Sequence, residues 1–110
     1  SALDLADGIL SIARAWETEP AQGRGHIYHL AGPEQLSWCG FARLFMDEWR
    51  RLGLPAAEVA PIATADWPAA AARPRHSALD SARFARDFGF AMPGLRASVA
   101  TAIQRLASER

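Results

Sequence analysis

Residues 4–18 carry apolar side chains at helical spacing: Leu5, Ile9, Ile12 and Trp16 share a face, with Ala6 and Ala13 beside them. Glu17, Thr18, Glu19 and Pro20 stop that pattern, and residues 22–25 (QGRG) read as a flexible turn. Residues 27–31 (IYHLA) are short and β-prone and end at Gly32 and Pro33, which predicts a strand. Ser37 is a good N-cap for a helix from Trp38 to about Leu52. Its inner stripe is expected to be Phe41, Leu44, Phe45 and Trp49, with Arg43, Asp47, Glu48, Arg50 and Arg51 outside and Gly53 as terminator. Residues 59–62 (VAPI) predict a second short strand, with Pro61 at an edge or an end.

Strand, helix and strand in this order form a βαβ unit, two parallel strands joined by a right-handed crossover. Beyond it, residues 64–68 suit a single helical turn and residues 69–74 an irregular surface loop. Asp80 can cap a short helix through Phe84 and Phe88, closed by Gly89. A last helix begins near Pro93 and presents Leu95, Val99, Ala102, Ile103 and Leu106 on one face. The expected fold class is α/β: a small, mostly helical subdomain built around one two-stranded parallel βαβ unit. Two short strands make a poor sheet, since three or more are usually needed for independent stability. The chain is therefore expected to be a piece of something larger.

Composition narrows the class. Fifty per cent of the 110 residues are apolar and the formal net charge is zero. Balanced charge argues against a generic nucleic-acid or membrane-surface binder. Cys39 is the only cysteine, which excludes an internal disulfide and a cysteine-based zinc site. No apolar run approaches the ~20 residues of a membrane span, and the expected location is the cytoplasm. Every one of the 12 basic residues is Arg, so a mechanism that needs a catalytic lysine cannot be completed by these residues alone.

Few residues carry a chemical signal. His26 and His29 are three apart on the predicted strand, so they point to opposite faces and cannot jointly hold a metal. His76, Ser77 and Asp80 list the members of a hydrolase triad, but adjacent residues rarely bring a nucleophile and its base together, and no G-x-S-x-G elbow exists. Gly23 and Gly25 precede a predicted strand, whereas a dinucleotide fingerprint needs three glycines between a strand and a helix. The stretch Arg73, Pro74, Arg75, His76 and Ser77 is different. Two guanidinium groups, an imidazole and a hydroxyl within five residues suit a phosphate or diphosphate. The plainer alternative is a basic loop making ion pairs with its own domain. Trp38 and Trp67 are compatible with stacking on a base or sugar, or with packing in a core.

Four stretches, in order, resemble the C-terminal part of the dTDP-4-dehydrorhamnose reductases, a family of extended short-chain dehydrogenases/reductases. They are residues 4–10 (DLADGIL), residues 25–32 (GHIYHLAG) with 37–42 (SWCGFA), residues 59–66 (VAPIATAD) and residues 73–80 (RPRHSALD). The resemblance continues through Phe88, Gly89 and the last helix, covering essentially the whole chain. It implies the substrate-binding region of such an enzyme, spanning residues 1–110. An N-terminal Rossmann domain would supply NADPH or NADH and a Tyr-x-x-x-Lys pair for reducing dTDP-4-dehydro-L-rhamnose to dTDP-L-rhamnose.

By the same resemblance Arg73, His76 and Ser77 are the candidate substrate contacts, and homodimers are expected. Tyr28 is the only tyrosine and Gly32 stands four residues on, so no Tyr-x-x-x-Lys pair is present. The isolated chain is thus expected to bind no cofactor or metal and to reduce nothing. His76 stands where the family more often has Asn, and Cys39 where an aromatic residue is common. Two other readings remain open: part of a reductase-like protein acting on another sugar nucleotide or serving a regulatory role, and a stand-alone helical interaction module.

Overall fold

The computed structural model describes residues 1–68 and 70–109. Helix α1 spans Ala2–Thr18, α2 Trp38–Arg51, α3 Ala82–Phe88 and α4 Leu95–Ser108, with one 3-10 turn at Thr64–Asp66. Three boundaries follow from local chemistry. The Ser1 side chain accepts from the Asp4 amide and the Asp4 carboxylate answers the Ser1 backbone, a reciprocal cap that starts α1. The Ser37 hydroxyl accepts from the Gly40 amide at 3.1 Å and starts α2. Gly89 ends α3 in the left-handed region, at φ 64°, where an L side chain would be strained.

The expected βαβ unit is absent: among the described residues there is no strand. The α/β assignment is therefore corrected to an all-helical chain with long irregular connections. Residues 26–31 and 57–62 run without a partner strand among the described residues, and side chains take only some of their backbone groups. The Ala31 amide donates to the Ser81 hydroxyl at 2.8 Å. Arg50 reaches the Ala57 carbonyl at 3.0 Å, and Arg43 the Val59 carbonyl at 3.4 Å. A β-prone composition makes a strand only where another strand lies alongside to pair its backbone. Ile27, expected in the strand, is 81% exposed. Of the loop expected at 69–74, Ala69 lies outside the described residues, and 70–74 hold no regular structure.

Helix α1 packs against α3, and α2 along α4. The buried hydrophobic residues are Phe84, Val99 and Ile103, so the core sits on α3 and α4. Tyr28 and Phe88 extend it as an aromatic group, their ring centroids 5.1 Å apart. Gly8 lets α1 come close: a Cβ there would overlap the Leu30 side chain and crowd Phe90.

Two expected stripes are displaced. On α1 the buried positions are Asp4 and Gly8, while Leu5, Ile9 and Trp16 stay exposed. On α2 the buried residue is Glu48, placed outside by its charge, and Phe41 is exposed. Glu48 hydrogen-bonds Arg96 of α4 and lies 3.6 Å from Arg51, which is how a carboxylate is tolerated there. Asp4 is likewise satisfied, by Ser98 of α4 and by the Ser1 hydroxyl at 2.7 Å.

The accessible surface is 8451 Å² and the radius of gyration 17.3 Å. A self-contained monomer of this mass would expose roughly 5,900 Å², with a radius of about 13 Å. The chain spreads over its elements and leaves much apolar surface uncovered.

Candidate substrate groove

A groove of about 800 Å³ opens between two irregular stretches, residues 31–35 and 75–82, with Ala85 of α3 and Ala91 and Met92 completing it. Both stretches are placed by bonds that reach across the sequence. Ser81, at the entry to α3, donates to the Ala31 carbonyl at 3.3 Å while accepting from its amide. Glu34 accepts from the Leu95 amide at 2.9 Å, at the first turn of α4.

Of the residues predicted as substrate contacts, His76 and Ser77 line this groove and Arg73 does not. Arg75 does, and it is the groove residue that the resemblance did not single out; its signal was the second guanidinium of the same basic stretch. Arg73, Arg75, His76 and Ser77 are all exposed, and none makes an ion pair or hydrogen bond with another described residue. The alternative of a basic loop ion-paired to its own domain finds no such pair among the described residues. Two cations, an imidazole and a hydroxyl therefore stand ready at one irregular stretch, a donor set suited to a diphosphate. Trp38 and Trp67 are exposed and outside the groove lining, so neither packs in the core.

A second polar cluster lies away from the groove. The Tyr28 hydroxyl donates to Asp87 Oδ2 at 2.8 Å, and Arg86 Nε donates to Oδ1 at 2.8 Å. Arg83 approaches the same carboxylate at 3.8 Å and lies 5.2 Å from the Tyr28 ring. Donation to Asp87 raises the Tyr28 hydroxyl above its ordinary 10.0. Arg86, then Tyr28, lowers the Asp87 carboxyl below its ordinary range. Through this bond Tyr28 braces the 19–30 connection against α3. His26 and His29 are both exposed, and no group of three or more His, Cys, Asp or Glu placed to hold a metal ion occurs among the described residues.

The chain resembles known proteins over nearly its whole length. It is similar to the dTDP-4-dehydrorhamnose reductase of Burkholderia thailandensis, 30% identical over 98% of this chain and 38% of the relative. It is 29% identical to that of Sinorhizobium fredii over 84% of this chain and 31% of the relative. The Escherichia coli enzyme of the same name is 28% identical over 73% of this chain and 27% of the relative. The chain thus spans less than two-fifths of the length of these relatives. No solved structure matches it at comparable significance. The profile of the RmlD substrate binding domain matches residues 1–108, nearly every residue from the α1 cap to the end of α4, and the chain belongs to that family.

Proposed function

We propose that this chain is the substrate-binding part of a dTDP-4-dehydrorhamnose reductase and that its groove takes the dTDP-sugar. The observation that carries this reading is the set of unpaired donors at residues 73–77, three of them at the groove, in a chain of this family. Arg75, His76 and Ser77 hold the diphosphate. Arg73, just outside the lining, approaches it from the rim or meets the neighbouring domain. Pro74 keeps Arg73 extended, so the loop is partly organised before ligand arrives.

The residues present do not fit a nicotinamide cofactor. Gly23 and Gly25 sit in a turn at φ 71° and 76°, not between a strand and a helix. Tyr28 is committed to Asp87, and there is no lysine. Hydride chemistry, from NADPH or NADH, belongs to the rest of a longer polypeptide. This chain's share is to bind, orient and shield the sugar nucleotide. The exposed face of α1 and the large uncovered surface support packing against a Rossmann domain and association into a homodimer.

The test is nicotinamide oxidation by the complete polypeptide with dTDP-4-dehydrorhamnose, set against other nucleotide ketosugars. Arg75→Ala and Arg73→Ala should raise the sugar-nucleotide KM about tenfold or more, the value of a charge-assisted hydrogen bond. The 110-residue chain alone should self-associate in light scattering and turn nothing over. Turnover by that chain, a preferred substrate other than the dTDP-sugar, or indifference to both arginines refutes the reading.

A further inference from the structure

We infer that Ser81 and Glu34 are positioning residues that set the aperture of the groove; the inference rests on the substrate reading above. Ser81 occupies the N-cap position of α3, yet its hydroxyl makes no capping bond. Asp80 does that work, accepting from the Ala82 amide at 2.8 Å. The freed Ser81 hydroxyl takes both backbone groups of Ala31, 50 residues away, accepting at 2.8 Å and donating at 3.3 Å. One side chain thus closes both backbone groups of Ala31, and both partners line the groove.

Glu34 fastens the same stretch at its other end. Helix α4 begins at Gly94 with no side-chain cap, and Glu34 supplies the acceptor from 61 residues away. Its other carboxylate oxygen lies where a Cβ on Gly94 would press, 3.2 Å away. The helix terminus therefore engages a carboxylate that would otherwise repel a diphosphate in the same groove. Residues 31–35 are tethered at two points, whereas 75–79 make no hydrogen bond among the described residues. The fixed side determines where the sugar nucleotide rests, and the basic side adjusts to it.

The experiment measures both KM values and kcat in the complete reductase. Ser81→Ala and Glu34→Ala should each raise the sugar-nucleotide KM about fivefold, the value of one lost hydrogen bond. The nicotinamide KM should stay within about twofold. Ser81→Thr and Glu34→Gln, which keep the hydroxyl and the acceptor, should restore the sugar-nucleotide KM. If Ser81→Ala fails to fold, Ser81→Cys, with its weaker donor and acceptor, should give an intermediate rise. A fall in kcat alone, equal changes in both KM values, or no rescue by Thr and Gln overturns the inference while leaving the substrate reading standing. A wild-type enzyme that does not use the dTDP-sugar overturns both.

Discussion

The hydroxyl of Tyr28 is held by the carboxylate of Asp87, and this single contact has consequences at both ends of the pH scale. The tyrosine's value is raised, so its contribution to stability is complete below 10.0 and is lost as pH rises through the folded value. Asp87 is lowered, first by Arg86 and then by Tyr28, so its contribution is present above the ordinary 3.8 and is lost as pH falls through the folded value. Tyr28 is the only tyrosine of these 110 residues, so in this chain on its own the ultraviolet absorbance change on ionisation reports this site alone. Titration should show ionisation above 10.0, shifted back down by Asp87→Asn. An unchanged curve in that variant would mean that the hydrogen bond is not made in solution.

Helices α2 and α4 are joined by a charged contact inside an otherwise apolar seam, and its members are unequal. Glu48 is buried while Arg96 is 52% exposed. Arg96→Ala leaves the carboxylate with only Arg51 at 3.6 Å, and should cost about 2 kcal/mol in urea unfolding. Arg51→Ala, on an exposed side chain, should cost less than about 0.5 kcal/mol. Equal effects would refute this account of the seam. Glu48 also shows where legibility ended. Its position lies on the inner face between Phe45 and Leu52, but a carboxylate is sorted outward unless its partner is known, and that partner is 48 residues away. Helix starts and stops were legible because Ser37, Gly53 and Gly89 act within one turn of themselves. The strands were misread for the converse reason. Residues 27–31 have the composition of a strand, but whether a second strand lies beside them is decided by distant parts of the chain, which periodicity cannot foresee. In the groove, the basic side was visible as a run of residue types. The facing side, residues 31–35, becomes a wall only through Ser81 and Glu34.

Across the whole molecule, elements outnumber the contacts that would close them into a core. Among the described residues three hydrophobic ones are buried, while Ile9 is 64% and Trp38 82% exposed. Amphipathic spacing on α1 correctly announced an apolar face but not that the face would be left bare. A helix reports which side is apolar, and only its neighbours decide whether that side is covered. The expectation of a larger whole, drawn from a weak two-strand sheet, rested on an element absent among the described residues; the uncovered surface supports it on different ground.

The free side of the groove also exposes a scissile bond. Trypsin cuts after arginine but not before proline, so Pro74 protects Arg73 and leaves the Arg75–His76 peptide open in an irregular stretch. Limited digestion should nick the chain there, and dTDP should slow that nick without slowing cleavage after Arg24, in the turn outside the groove. Equal rates with and without nucleotide would place the ligand elsewhere.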